Sequence, residues 1–254
     1  MSEKKLKRMW LGSEERQKRF IGWDFSEIEA QYWQEKNSWD YSEIVHQYLK
    51  EDMELLDMGT GGGELLKTFN HPLHKTSVTE GWKKNHELLL RTLKPKGMNV
   101  QFVEESDELH FSDNSFDIIL NSHESFSIPE VKRVLKPNGI FISQQVGDMN
   151  GLTLASRVVP HLKKDRFHWH LSCVVDDLST ASFEVLYQNE CYPVQKFYDM
   201  DALIYYARTI SWEFPDFSVE NNFHELLHVN DGLTRNGYVY SQQHRFVFVA
   251  RLTK

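Results

Sequence analysis

Residues 54–67 read ELLDMGTGGGELLK, four glycines and one aspartate between two apolar runs. A short apolar run that stops at a glycine has the pattern of a buried strand. Leucines returning at helical spacing after the glycines predict a helix. Strand, glycine turn and helix in that order commit the chain to an α/β unit. Glycines at such a junction let main chain approach a ligand where a Cβ would collide. A Walker loop is excluded, because Lys and then Ser or Thr must follow its last glycine and here Glu64 and Leu65 follow Gly63. The dinucleotide fingerprint Gly-x-Gly-x-x-Gly survives only in relaxed form. Its third place falls on Glu64 when counted from Gly59, and on Leu66 when counted from Gly61. The pattern that fits at every place is Asp-x-Gly-x-Gly-x-Gly, with Asp57, Gly59, Gly61 and Gly63.

The alternation continues beyond this unit. Strands are predicted at 53–58, 75–80, 98–103, 115–121 and 140–146, with helices at 64–69, 82–93 and 128–135. The breakers Lys94-Pro95-Lys96-Gly97 and Lys136-Pro137-Asn138-Gly139 end two of the helices. This order implies a mostly parallel sheet with helices on both faces and right-handed crossovers. After Gly147 the pattern weakens to a helix at 176–186 and a strand at 190–198. A last strand places His244, Phe246, Phe248 and Ala250 on one face and Arg245, Val247, Val249 and Arg251 on the other. Residues 1–50 read as an N-terminal helical cap, and 51–254 as the main domain with an aromatic insert at about 200–235.

With Asp57, Gly59, Gly61 and Gly63 in place, the chain resembles the class I S-adenosylmethionine-dependent methyltransferases over about residues 53–146. The resemblance implies a Rossmann-like sheet of seven strands with an antiparallel last strand. It also implies S-adenosyl-L-methionine as cofactor. Asp57, Gly59, Thr60, Gly61 and Gly63 then hold its methionine part, and Glu80 at the end of "SVTE" accepts from the ribose hydroxyls. Gly81 and Trp82 follow, the indole either lying against the adenine or packing in the core. In "EESDELHFSDNSFDIIL", Glu105 and Ser106 match the family's adenine-contacting pair, although Glu stands for the usual Asp and His110 for the usual Pro. Asn121 opens the loop after the fourth strand, where the fold keeps its chemistry.

That loop, Asn121-Ser122-His123-Glu124-Ser125, lacks the Asn/Asp-Pro-Pro-Tyr motif of exocyclic-amine methylation. His123 is the candidate general base, since imidazole titrates near neutrality. The other reading makes it a loop histidine that orders backbone. Glu124 is the weaker candidate. In "HWHLSC", His168 and His170 are spaced for one face of a strand, but no further Cys or His pair matches them, so no metal is expected. Tyr205, Tyr206 and Trp212 of the aromatic insert are the candidate acceptor wall, or else cover a sheet edge.

Composition narrows the partners. Aromatics make up 13% of the 254 residues, and the formal net charge is −8. Such a charge disfavours nucleic acid, whose binding rests on counterion release by Lys and Arg. The basic cluster at residues 4–19 is interrupted by Glu14 and Glu15. No apolar run reaches the ~20 residues of a membrane span, and the first residues lack a signal-peptide core. Cys173 and Cys191 lack disulfide-framework or metal spacing. The expectation is a cytoplasmic methyltransferase acting on O or N of a small molecule. An RNA methyltransferase and a non-catalytic cofactor-binding module are its rivals.

Overall fold

The computed structural model describes residues 1–20, 25–104, 108–163 and 167–253. In chain order the elements begin with α1 (Glu3–Gln17), β1 (Tyr32–Gln34) and α2 (Tyr41–Tyr48). Then come β2 (Leu55–Met58), α3 (Glu64–Thr68), β3 (Thr76–Glu80), α4 (Lys83–Thr92) and β4 (Asn99–Phe102). The middle of the chain holds β5 (Phe116–Ser122), α5 (Ile128–Val134), β6 (Leu135–Val146), α6 (Leu152–Val158), α7 (Leu171–Thr180) and β7 (Phe183–Cys191). The last elements are β8 (Val194–Phe197), α8 (Met200–Thr209), α9 (Phe223–Asn236), β9 (Val239–Gln242) and β10 (Arg245–Leu252).

These elements form two compact units. One comprises residues 1–37, 148–167 and 191–244, and the other 38–147, 168–190 and 245–254. The second unit contains the seven-stranded sheet, in the order β4-β3-β2-β5-β6-β10-β7. β2 pairs parallel with β3 and β5, β3 with β4, and β5 with β6. β10 pairs antiparallel with β6. The sheet is thus the predicted one, mostly parallel with an antiparallel last strand.

Side-chain alternation explains its two cores. From β10, Val247 and Val249 join Leu55, Val78, Ile118, Leu120 and Ile142 on one face. Phe246, Phe248 and Ala250 join Leu56, Met58, Ile119 and Phe141 on the other. Each of these fully buried side chains larger than alanine contributes roughly 1.5–3 kcal/mol. All four residues of β2 are buried, as expected of a central parallel strand covered on both sides.

The first unit packs α1, α6, α8 and α9 with a three-stranded sheet in the order β1-β8-β9. Tyr32, Phe197 and Val239 stand opposite one another across that sheet and pack in the unit's core. The Asp199 side chain caps α8 by accepting from Ala202 N–H at 2.7 Å.

Three local expectations are corrected. Residues 1–50 are not helical throughout, because Tyr32–Gln34 pairs with β8 as a strand. The helix expected at 176–186 lies earlier, at Leu171–Thr180, and Ser182 in a left-handed conformation (φ 73°) turns the chain into β7. The single strand expected at 190–198 is the end of β7 and then β8, which belong to different sheets and are separated at Tyr192-Pro193. Proline cannot donate to a ladder, which fits a break there.

Candidate active site

The carboxyl ends of β2, β3 and β5 lie side by side in the second unit, with Asp57 opposite Val78 and Leu120. Where β2 stops, the chain takes left-handed backbone at alternate residues: Gly59 (φ 64°), Gly61 (φ 62°) and Gly63 (φ 76°). Any other L-residue would pay about 1–2 kcal/mol at each.

The three glycines answer to different neighbours. A Cβ on Gly63 would meet Leu93 Cδ1 at 3.0 Å, so this glycine lets α3 pack close to Leu93. A Cβ on Gly59 would meet Glu124 Cβ and Cγ at 2.5 Å. A Cβ on Gly61 would meet nothing within 4 Å. Gly61 is therefore the one of the three that faces open space.

The loop is tied to β3. Thr79 Oγ1 accepts from Gly59 N–H at 3.3 Å, and Thr79 O accepts from Thr60 N–H at 3.1 Å. Glu80 Oε2 accepts from Gly61 N–H at 2.8 Å, while Oε1 accepts from Trp82 N–H at 2.8 Å. A carboxylate has about four lone-pair sites, so the group keeps capacity for a further donor. Burial raises the Glu80 pKa above the usual range, against the lowering effect of these amides. Gly81 admits a close chain approach, since a Cβ there would meet Val103 O at 2.8 Å. Trp82 is 45% exposed, which removes the core-packing reading of its indole.

Asp57 is 8% exposed. Burial pushes its pKa up to about 7; the Thr60 side chain pulls it down and the Glu80 charge pushes it further up. Asn121 is fully buried at the end of β5. Its Oδ1 accepts from Ser143 Oγ at 3.1 Å and Gln145 Nε2 at 2.5 Å. Its Nδ2 has no partner among the described residues. Glu105 and Ser106 lie outside the described residues.

His123 takes left-handed backbone (φ 67°), and its N–H donates to Gln144 O at 2.9 Å. The residue is exposed as a whole, while desolvation of the ring and then the Arg245 guanidinium push its pKa down to about 4. The direction of this shift keeps the imidazole neutral at pH 7.

Several contributors carry little signal in the sequence. The Tyr41 hydroxyl donates toward Asn121 O at 3.2 Å and Ile142 O at 3.3 Å. Burial, and after it the Asp57 charge, hold its pKa well above the ordinary phenol value. Trp39 Nε1 donates to Gln144 Oε1 at 3.2 Å, and Gln144 Nε2 donates to Ser122 Oγ at 2.9 Å. The one sequence hint is the polar run Ser143-Gln144-Gln145 that follows the apolar stretch Ile140-Phe141-Ile142 within β6.

The candidate acceptor residues lie in the first unit. Tyr205 and Tyr206 are 2% and 6% exposed and belong to its core, so their rings pack rather than present a wall. Trp212 is 64% exposed. His170 does not share a strand face with His168: it is the N-cap residue of α7, with Nε2 3.3 Å from Cys173 Sγ. Among the described residues, no three or more His, Cys, Asp or Glu side chains are grouped to hold a metal. Both cysteines are free thiols. No described helix is long and apolar enough to cross a membrane.

The residues present fit the implied cofactor. Asp57 and Glu80 offer acceptors for ammonium and hydroxyl groups, and Asn121 offers a buried donor without a partner. Gly61 leaves main chain bare beside them.

Comparison with known proteins agrees. Residues 56–143 match the family model of a methyltransferase domain. No curated protein matches the sequence. Among solved structures, a Bacillus halodurans protein provisionally assigned as a methyltransferase superposes with a TM-score of 0.58 at 16% identity, covering 85% of this chain and 99% of that one. The YcgJ protein of Bacillus subtilis gives 0.56 at 18% identity, covering 84% and 98%. The cyclase SpnF gives 0.51 at 16% identity, covering 88% and 86%. At these identities the structural likeness establishes the fold. Residues 56–143 thus match a methyltransferase domain, and they lie in a seven-stranded sheet of the fold that these structures share.

Proposed function

We propose that the chain moves a methyl group from S-adenosyl-L-methionine to an oxygen or nitrogen of a small molecule. The observation that carries this reading is the open face of Gly61 beside the Glu80 carboxylate. Bare main chain and a buried acceptor together suit a nucleoside with an amino-acid tail.

When bound, the cofactor supplies an activated methyl group on a positively charged sulfur. The protein's share is then mostly alignment and exclusion of water. Glu80 holds the glycine loop and the turn to α4 in one arrangement through its two accepted N–H groups, and accepts from the ribose hydroxyls. Asp57 accepts from the ammonium group. Trp82, exposed at the start of α4, covers the adenine.

His123 takes the acceptor's proton. Its lowered pKa makes it a weak base, but a weak base suffices here. An oxygen that has gained a methyl group becomes strongly acidic and releases its proton even to a weak base, whereas an amine attacks as its free base and leaves an ammonium that needs no base at His123. The formal charge of −8 favours a small acceptor over a polyanion.

The test is calorimetry with S-adenosyl-L-methionine, followed by incubation of the enzyme with methyl-labelled cofactor and a metabolite extract. Saturable binding and one labelled small product are expected. Label appearing in RNA instead would refute the choice of acceptor, and absence of binding would refute the reading of the loop.

A further inference from the structure

Glu124 stands out because its side chain lies directly against the glycine loop. Its Cβ and Cγ are 2.5 Å, and its Oε2 2.7 Å, from where a Cβ on Gly59 would sit. Two anchors fix this placement. Gln145 Nε2 donates to Glu124 O at 3.0 Å and also to buried Asn121. Glu124 Oε1 accepts from Ser125 N–H at 3.1 Å and Ser125 Oγ at 3.2 Å. Oε2 is left on the side of bare Gly59.

The charge there is not balanced by protein. Asp57, Glu80 and Glu124 form no ion pair among the described residues. They do feel one another, since Glu124 raises the Glu80 pKa and Glu80 raises that of Asp57. Beside them Asn121 holds a buried amide donor with no partner, so the place is shaped for a ligand with both charge and acceptor groups.

We propose that Glu124 is a specificity-determining residue that favours the positively charged methyl donor over the neutral product of transfer. This rests on the function proposed above. In the reaction the methyl–sulfur bond breaks, its electron pair stays on sulfur, and a new bond forms from methyl to the acceptor. The acceptor then loses its proton. The sulfonium thus becomes a neutral thioether, while the shape changes by one methyl group. A carboxylate against Gly59 attracts the first species and not the second. The product's grip loosens at the moment it forms.

The experiment is calorimetry of the full chain and of Glu124→Gln with S-adenosyl-L-methionine and, separately, S-adenosyl-L-homocysteine. Glutamine keeps the shape and removes the charge. A single partly solvated charge is expected to change affinity about five- to tenfold. The variant is therefore expected to lose that much affinity for the sulfonium and to keep its affinity for the thioether within about twofold. Raising the salt concentration should narrow the gap between the two ligands more in the parent than in the variant, which keeps Asp57 and Glu80. Equal losses for both ligands would overturn the inference, since a residue that only shapes the loop affects both. Unchanged affinity for both would overturn it too. If the parent chain binds neither ligand, the cofactor reading itself falls. That outcome is distinguishable because it appears before any substitution is made.

Discussion

The Glu80 carboxylate accepts from the backbone N–H of Gly61 at 2.8 Å, so one side chain at the end of β3 sets the shape of the loop that follows β2. Its other oxygen accepts from Trp82 N–H at the same distance. Replacing Glu80 by Gln turns one acceptor into a donor facing an N–H. Hydrogen bonds to charged groups contribute about 1.5–3 kcal/mol. Glu80→Gln is therefore expected to weaken cofactor binding by about 10- to 100-fold. Calorimetry measures this, and a lowered melting temperature without ligand should accompany it. A variant with unchanged affinity would leave Glu80 a purely structural residue.

Gly61 separates backbone strain from ligand space. A Cβ there meets no protein atom within 4 Å, but the φ of 62° disfavours any L-residue. Gly61→Val should cost folding only about 1–2 kcal/mol from strain and yet abolish cofactor binding. Gly63→Ala makes the contrast. Its Cβ meets Leu93 Cδ1 at 3.0 Å, so it should destabilise the fold with a smaller effect on affinity. Urea unfolding and calorimetry on both variants check the pair. Undiminished binding by folded Gly61→Val would remove the loop from the site.

Much of this was legible where local pattern determines structure. The β2 run, the glycine spacing and the alternation in β10 each report burial within a few residues. Residues that meet through distant pairing left no such mark. β1 is three residues long and becomes a strand only by pairing with β8. Its polar and aromatic residues fit a helix equally well in isolation. Likewise the contact of Glu124 with Gly59 joins two loops that periodicity cannot relate. Tyr205 and Tyr206 invited a ligand reading because aromatics suit both pockets and cores. Only packing shows that these two fill a core. The break between β7 and β8 did have a signal, in Pro193.

Asp57 gives the pH dependence a definite sign. Its carboxyl pKa is raised by burial from 3.8 to about 7. The folded protein therefore holds this proton more tightly than the unfolded chain does between those values. Stability from Asp57 is fully present below pH 3.8 and is lost as pH rises through about 7. A bound cation reverses the preference, because it favours the ionised carboxylate. Cofactor affinity should thus rise between pH 6 and pH 8, with release of a proton on binding at the lower pH. Titrations in two buffers of different ionisation enthalpy count that proton. Asp57→Asn should flatten the dependence, and a persistent slope in that variant would assign the titration elsewhere.

His123 combines left-handed backbone with a ring whose pKa is pushed down to about 4 by burial and by Arg245. Substitution by Ala would mix two effects, since Ala tolerates φ of 67° poorly. Asn is at home in that conformation and removes the basic nitrogen, so His123→Asn isolates the chemistry. General-base assistance contributes typically 10²- to 10⁴-fold. A base that acts only after the methyl group arrives should contribute toward the lower end. Turnover is expected to fall about 100-fold, with cofactor affinity unchanged by calorimetry. Because the imidazole is already neutral, the parent's turnover should show no limb near pH 6.5. A limb there that disappears in His123→Asn would mean the ring keeps its ordinary pKa. Full activity in the variant would leave His123 as a residue that orders the loop through its N–H to Gln144 O.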